Sequence, residues 1–266
     1  MARLRAVLLD LHGTLVFTSR VLSRDEHVRL VASRTAPLVR GHGIGPDELT
    51  SLWRDLFGAV ETACELAPPG YAGVDCPFIV QGAFADRGVT LTREETTHIW
   101  NASRLPLGDY AQLFPDTLDV LRSLRSAGLR LALVTNQPYP GDLLLPDLEA
   151  HHLLPWFDAV VVSHDLGYGK PHPAIFEQAL ERVGAAPREA VMIGDTPAID
   201  VAGAKAAGMP AVLKRNGDRR RPAGDADHVI DDLIELLSLP LMPPAVRRAD
   251  LAPSPTPHED DNEGRY

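Results

Sequence analysis

Cysteine is nearly absent: Cys64 and Cys76 are the only two in 266 residues. Two isolated thiols match neither a disulfide framework nor a zinc-ligand spacing, so a reducing, cytoplasmic setting is expected. Long hydrophobic runs are missing as well. Nothing approaches the ~20 apolar residues that cross a bilayer, and the apolar start Ala6-Val7-Leu8-Leu9 is cut short by Asp10, unlike a signal-peptide core. Positive charge is in deficit, with 26 Lys and Arg against 36 Asp and Glu and a formal net charge of −10. The basic residues Lys214-Arg215 and Arg219-Arg220-Arg221 read as a solvated loop. Neither nucleic acid nor a membrane is therefore an expected partner. The 45% hydrophobic and 23% charged content is that of an ordinary globular chain and excludes global disorder.

What is present is a repeated short apolar run. Ala6–Leu9 recurs in kind at Leu131–Val134, Ala159–Val162, Val191–Ile193 and Ala211–Leu213, each followed by polar or Gly/Pro residues and then a helical pattern. A continuously apolar strand is covered on both faces, as in a parallel sheet between helix layers. The alternation predicts an α/β chain with a doubly wound, Rossmann-like parallel sheet. Pro115, the Leu118–Leu121–Leu124 stripe and Gly128 punctuate one of its helices.

Residues 17–108 carry helix signals and little strand signal. Leu49, Leu52, Trp53, Leu56, Phe57 and Val60 keep helical spacing, and Thr92 with Glu95 forms a capping box. Trp53 and Trp100 could line a pocket, although an aromatic on such a stripe more often belongs to a core. The expected organisation is an α/β core from 1–16 and 109–240, an all-helical cap from 17–108, and a Pro-rich, acidic, disordered tail from 241–266.

The inferred strands end in a distinctive set of polar groups. The first ends in Asp10-Leu11-His12-Gly13-Thr14, another in Thr135-Asn136, another in Gly194-Asp195 with Asp200 beyond, and Lys170-Pro171 follows the Ala159 strand. Ligands of open α/β sheets bind beyond the carboxyl ends of the strands, so these groups should converge. Three carboxylates in one cleft repel one another unless a cation neutralises them, and an all-oxygen set suits Mg²⁺. That ion and Lys170 together would let a carboxylate attack phosphorus. Taken alone, Asp200 could also be a helix-start carboxylate favoured by the dipole.

In these four segments, in this order, the chain resembles the haloacid dehalogenase superfamily, over about residues 4–16 and 112–235. The resemblance implies Asp10 as nucleophile and Asp10, Asp195 and the His12 carbonyl as Mg²⁺ ligands, with Asp200 on the metal or its waters. It implies Lys170 beside Asp10 and the phosphate, and Thr135 and Asn136 on the transferring group. The activity implied is Mg²⁺-dependent hydrolysis of a small phosphorylated metabolite through an aspartyl-phosphate, by a monomer or homodimer.

One position departs from the family pattern. Its phosphatases carry a second aspartate two residues after the nucleophile, as acid and base, where this chain has His12. A positioned acid/base is worth about 10²–10⁴ in rate. Three readings follow: His12 does the proton transfer, the chain is a 2-haloacid dehalogenase-type hydrolase, or it is a weakened phospho-ligand-binding domain.

Overall fold

The apolar runs are strands of one sheet, and their pairing decides where the polar residues after them meet. The computed structural model describes residues 3–247. In chain order, β1 (Ala6–Leu9) and β2 (Val16–Thr18) precede four helices, α1 (Arg24–Val39), α2 (Pro46–Leu66), α3 (Cys76–Ala85) and α4 (Arg93–Ser103). Then come β3 (Ala111–Leu113), α5 (Thr117–Ser126), β4 (Arg130–Thr135), α6 (Leu145–Ala150), β5 (Ala159–Val162), α7 (Ser163–Leu166) and α8 (Pro173–Val183). β6 (Ala190–Gly194), α9 (Ala202–Ala206), β7 (Ala211–Lys214), β8 (His228–Ile230) and α10 (Pro244–Arg247) complete it.

Six strands form a parallel sheet in the order β5-β4-β1-β6-β7-β8. The chain moves from β1 outward through β4 to β5, then returns to the other side of β1 at β6. The strand order therefore reverses around β1, at the place where such folds bind ligands. Alternate residues of each strand face opposite helix layers. Val7, Leu9, Leu131, Leu133, Val191 and Ile193 pack with Val120, Leu121 and Leu124 of α5. Ala6, Leu8, Ala132, Val134 and Met192 pack with Ile175, Phe176 and Leu180 of α8. Fully burying each large side chain of these layers stabilises the fold by about 1.5–3 kcal/mol.

The four helices α1–α4 close a separate apolar core. Leu49, Leu52, Trp53 and Leu56 of α2 meet Val28 and Val31 of α1, Val80 and Phe84 of α3, and Ile99 and Trp100 of α4. Trp53 is wholly core, its indole N–H donating to Thr35 Oγ1 at 2.8 Å. The Thr92–Glu95 capping box opens α4, and a second one, Ser23–Glu26, opens α1. These helices are joined to the sheet by the antiparallel pair β2–β3. They also reach it through the Trp100 indole on the Pro138 carbonyl (3.1 Å) and the Arg104–Asp147 ion pair (2.6 Å).

Two expectations shift in detail. β2 straddles the boundary expected at 16/17 because its pairing partner, β3, lies ninety residues on. The tail expected from 241 is ordered at its start, since Met242 and Val246 are buried against the α5 side of the sheet. Residues 248–266 lie outside the described residues. No helix among the described residues is long and apolar enough to cross a membrane.

Candidate active site

Asp10 is the residue immediately beyond β1, and its backbone N–H still donates to the Ile193 carbonyl at 3.0 Å, extending the β1–β6 ladder by one step. In-register pairing of β1 with β4 and β6 brings the ends of all three strands level. Asp10, His12, Thr135, Asn136, Lys170, Asp195 and Asp200 accordingly line one cavity of about 600 Å³. A larger cavity of about 930 Å³ lies at the opposite, amino-terminal ends of the strands, beside Arg5 and Arg130, with no acidic lining residue among the described residues.

The turn after Asp10 depends on glycine. Gly13 has φ +77°, and a Cβ there would sit 2.3 Å from Asp195 Oδ2. Only a residue without a side chain lets the turn after Asp10 approach the Asp195 carboxylate so closely. Gly194 does the same for Asp200, whose Cγ lies 2.2 Å from the position of an added Cβ.

Lys170 is the electrostatic centre. Its buried ammonium lies 2.5 Å from Asp10 Oδ1 and 2.7 Å from Asp200 Oδ1. Asp10 also accepts from Thr14 Oγ1 at 3.2 Å, Asp195 accepts from Thr196 Oγ1 at 3.0 Å, and Asp200 accepts from the Thr196 amide at 2.9 Å. Burial raises the Asp10 carboxyl to about 6; Lys170 opposes that rise and Asp200 adds to it. For Lys170, burial pulls downward, but Asp10 and Asp200 outweigh it and hold the ammonium above the usual lysine range.

The donor set fits a divalent cation. Asp10, Asp195 and Asp200 each offer an oxygen, and these atoms lie within 4.8 Å of one another. Three carboxylates against Lys170 and the partly exposed Arg221 leave net negative charge. Asp200 Oδ1, though beside Lys170, accepts no hydrogen bond of good geometry. Hard oxygens with residual negative charge are what Mg²⁺ takes.

Several contacts of the cleft residues were not foreseen. Asn136, expected on the transferring group, spends its amide on Lys170, donating to its carbonyl and accepting from its N–H at 2.8 Å each. The two bonds tie the Lys170 backbone to the end of β4. Arg221, read as part of a solvated loop, donates to the Asp195 carbonyl at 2.6 Å and to its carboxylate at 3.1 Å. Asn216 donates to the Gly13 carbonyl at 2.8 Å, and Lys214 is buried over the Phe114 ring. The His12 imidazole lies parallel to the Tyr110 ring, with Nε2 3.0 Å from the Tyr110 hydroxyl. Burial lowers its pKa, Lys170 lowers it further, and Asp195 partly restores it. No local pattern marks Tyr110, Asn216 or Arg221, because each acts on a residue distant in the chain.

This fold, with a carboxylate cleft beyond the carboxyl ends of its strands, is that of an α/β hydrolase. The chain belongs to the haloacid dehalogenase-like hydrolases, whose family model matches residues 4–208. It is 39% identical over 134 residues to a phosphoserine phosphatase of Thermus thermophilus, covering 47% of this chain and 49% of that protein. It is 37% identical over 134 residues to the phosphoglycolate phosphatase of Escherichia coli, covering 48% and 52%. The match thus spans about half the length of these curated relatives. Among solved structures, a haloacid dehalogenase-type phosphatase from Thermococcus onnurineus superposes with a TM-score of 0.55 at 28% identity, covering 88% of this chain and 97% of that one. A 2-haloacid dehalogenase from Pseudomonas syringae pv. Tomato shares the fold as well, with a TM-score of 0.63 at 24% identity, covering 88% and 97%.

Proposed function

We propose that this chain is a Mg²⁺-dependent phosphatase of small phosphate monoesters, working through an aspartyl-phosphate on Asp10. The observation that carries this reading is the Asp10–Lys170–Asp200 bridge, with Asp195 within metal-sharing distance of both carboxylates. A dehalogenase reaction has no use for that third acidic group, whereas a phosphoryl group brings negative charge that must be balanced.

Bound to Asp10, Asp195, Asp200 and the His12 carbonyl, Mg²⁺ would supply charge neutralisation for the transferring phosphoryl group. Lys170 keeps one Asp10 oxygen engaged and offers charge to the phosphate. Asn136 fixes the lysine backbone, and Thr135 lines the same cleft. Asp10 attacks phosphorus as the bond to the ester oxygen breaks, and the departing alkoxide takes a proton. A phosphate dianion beside His12 would favour the charged imidazole and oppose the effect of burial, so that His12 gives that proton and then takes one from the water that cleaves the acyl phosphate. Tyr110 holds the imidazole through Nε2.

The test is turnover of an alkyl phosphate ester, whose leaving group needs a proton, by wild type, His12→Ala and His12→Asp, with Mg²⁺ and with chelator. Wild-type activity should require the metal, His12→Ala should lose roughly 10²-fold in kcat, and an aryl ester should suffer less. Chloride release from a 2-haloacid without metal selects the dehalogenase. Equal wild-type and alanine rates, with a large gain only in the aspartate variant, select a phospho-ligand-binding domain.

A further inference from the structure

A second cavity, of about 440 Å³, opens from the catalytic cleft toward the helices and shares His12, Thr18 and Asn136 with it. None of Asp10, Lys170, Asp195 or Asp200 lines it. An ester whose phosphorus lies at Asp10 has its bridging oxygen near His12, so its alcohol portion extends into this second space.

About half of the lining residues are apolar or aromatic, and several of these are held in place. Leu107 and Leu144 are buried, and Leu22 and Leu105 lie alongside them. The Tyr139 ring is stacked on Trp100 at 5.0 Å, and its hydroxyl meets Ser103 Oγ at 3.2 Å. Tyr110 is set by its contact with His12. Pockets of roughly 300–1,000 Å³ bury drug-sized ligands, so this one far exceeds the two-carbon alcohol of phosphoglycolate.

Its charge has one sign. Among the described residues no carboxylate lines the cavity, while Arg20, His27 and Arg104 do. Arg104 is tied to Asp147, and burial holds His27 below its ordinary range and so neutral at pH 7. Arg20 makes no ion pair among the described residues. Glu26, which feels its charge, is committed to the α1 capping box.

We propose that the substrate is a phosphate monoester of a bulky, largely apolar alcohol carrying a carboxylate at its far end. Its body packs on Leu107, Leu144 and Tyr139, and its anion meets Arg20. The proposal rests on the phosphatase reading and separates this chain from relatives named for phosphoserine and phosphoglycolate.

The experiment compares kcat/KM, with Mg²⁺, for phosphoglycolate, benzyl phosphate and 4-carboxybenzyl phosphate, all with alkyl-type leaving oxygens. Benzyl phosphate should exceed phosphoglycolate by roughly tenfold or more from ring burial. The added carboxylate should contribute about tenfold again. Arg20→Ala should bring the carboxybenzyl-to-benzyl ratio close to one. Phosphoglycolate as the best ester, or an unchanged ratio in Arg20→Ala, overturns the proposal and leaves the phosphatase reading standing. Absence of turnover for every ester, including 4-nitrophenyl phosphate, overturns the phosphatase reading instead. In that case calorimetry with 4-carboxybenzylphosphonate and phosphonoacetate decides the pocket's occupant. Tighter binding of phosphonoacetate rejects the bulky ligand, and tighter binding of the benzyl compound, weakened in Arg20→Ala, upholds it.

Discussion

Asp10→Asn should abolish turnover and yet stabilise the metal-free protein. The carboxyl is raised from 3.8 to about 6, chiefly by burial. Each unit is worth about 1.4 kcal/mol, so two units make ionised Asp10 a burden of about 3 kcal/mol on the fold at neutral pH. The sign follows from proton binding. Between about pH 4 and 6 the folded state holds the Asp10 proton more tightly than the unfolded chain does, so wild type loses stability as pH rises through that window. Asparagine has no proton to lose. Its oxygen can still accept from Lys170, and the Thr14 hydroxyl can turn to accept from its amide. The variant's advantage should be near zero at about pH 4, grow through pH 6, and level off at about 3 kcal/mol above pH 7. That corresponds to a rise in Tm of roughly 6–12 °C for a chain of this size. The assay is urea and thermal unfolding of both proteins across pH in chelator. Added Mg²⁺ should narrow the gap by favouring the ionised carboxylate of wild type. An Asn variant no more stable than wild type at pH 8 in chelator, or a gain equal at pH 4.5 and pH 8, refutes the reasoning.

Asn136→Ala strips two hydrogen bonds from the Lys170 backbone. It should cost about 1–3 kcal/mol in urea unfolding and lower kcat more than it raises KM. Asn136→Asp, which accepts from the amide but cannot donate to the carbonyl, should fall between alanine and wild type in stability. Gly194→Ala places a methyl group 2.2 Å from Asp200 Cγ. It should destabilise by about 1–3 kcal/mol through overpacking and weaken Mn²⁺ binding measured by electron paramagnetic resonance. Unaltered Mn²⁺ affinity would show that Asp200 is not held against the metal position by that contact.

The five apolar runs and the polar residues ending them are local features, and strand pairing needed only to carry them to one edge. A fully covered parallel strand must be apolar throughout, and the residue just past its carboxyl end must meet whatever the fold binds. Asp10, Thr135 and Asp195 were therefore legible in the chain at strand ends, and Lys170 and Asp200 in the segments that follow them. So were the helices of 46–66 and 93–103, from spacing and a capping box. β2, β3 and β8 escaped notice because three-residue strands carry too little pattern, and only pairing defines them. The side-chain contacts around the cleft are of another kind. His12 with Tyr110, Asp195 with Arg221 and Gly13 with Asn216 join residues 98, 26 and 203 positions apart. The order of Met242 and Val246 likewise depends on an apolar surface made by α5 and the sheet. Tertiary packing alone decided these, because a side chain's partner across such distances is set by the closure of the whole sheet and not by its neighbours in sequence.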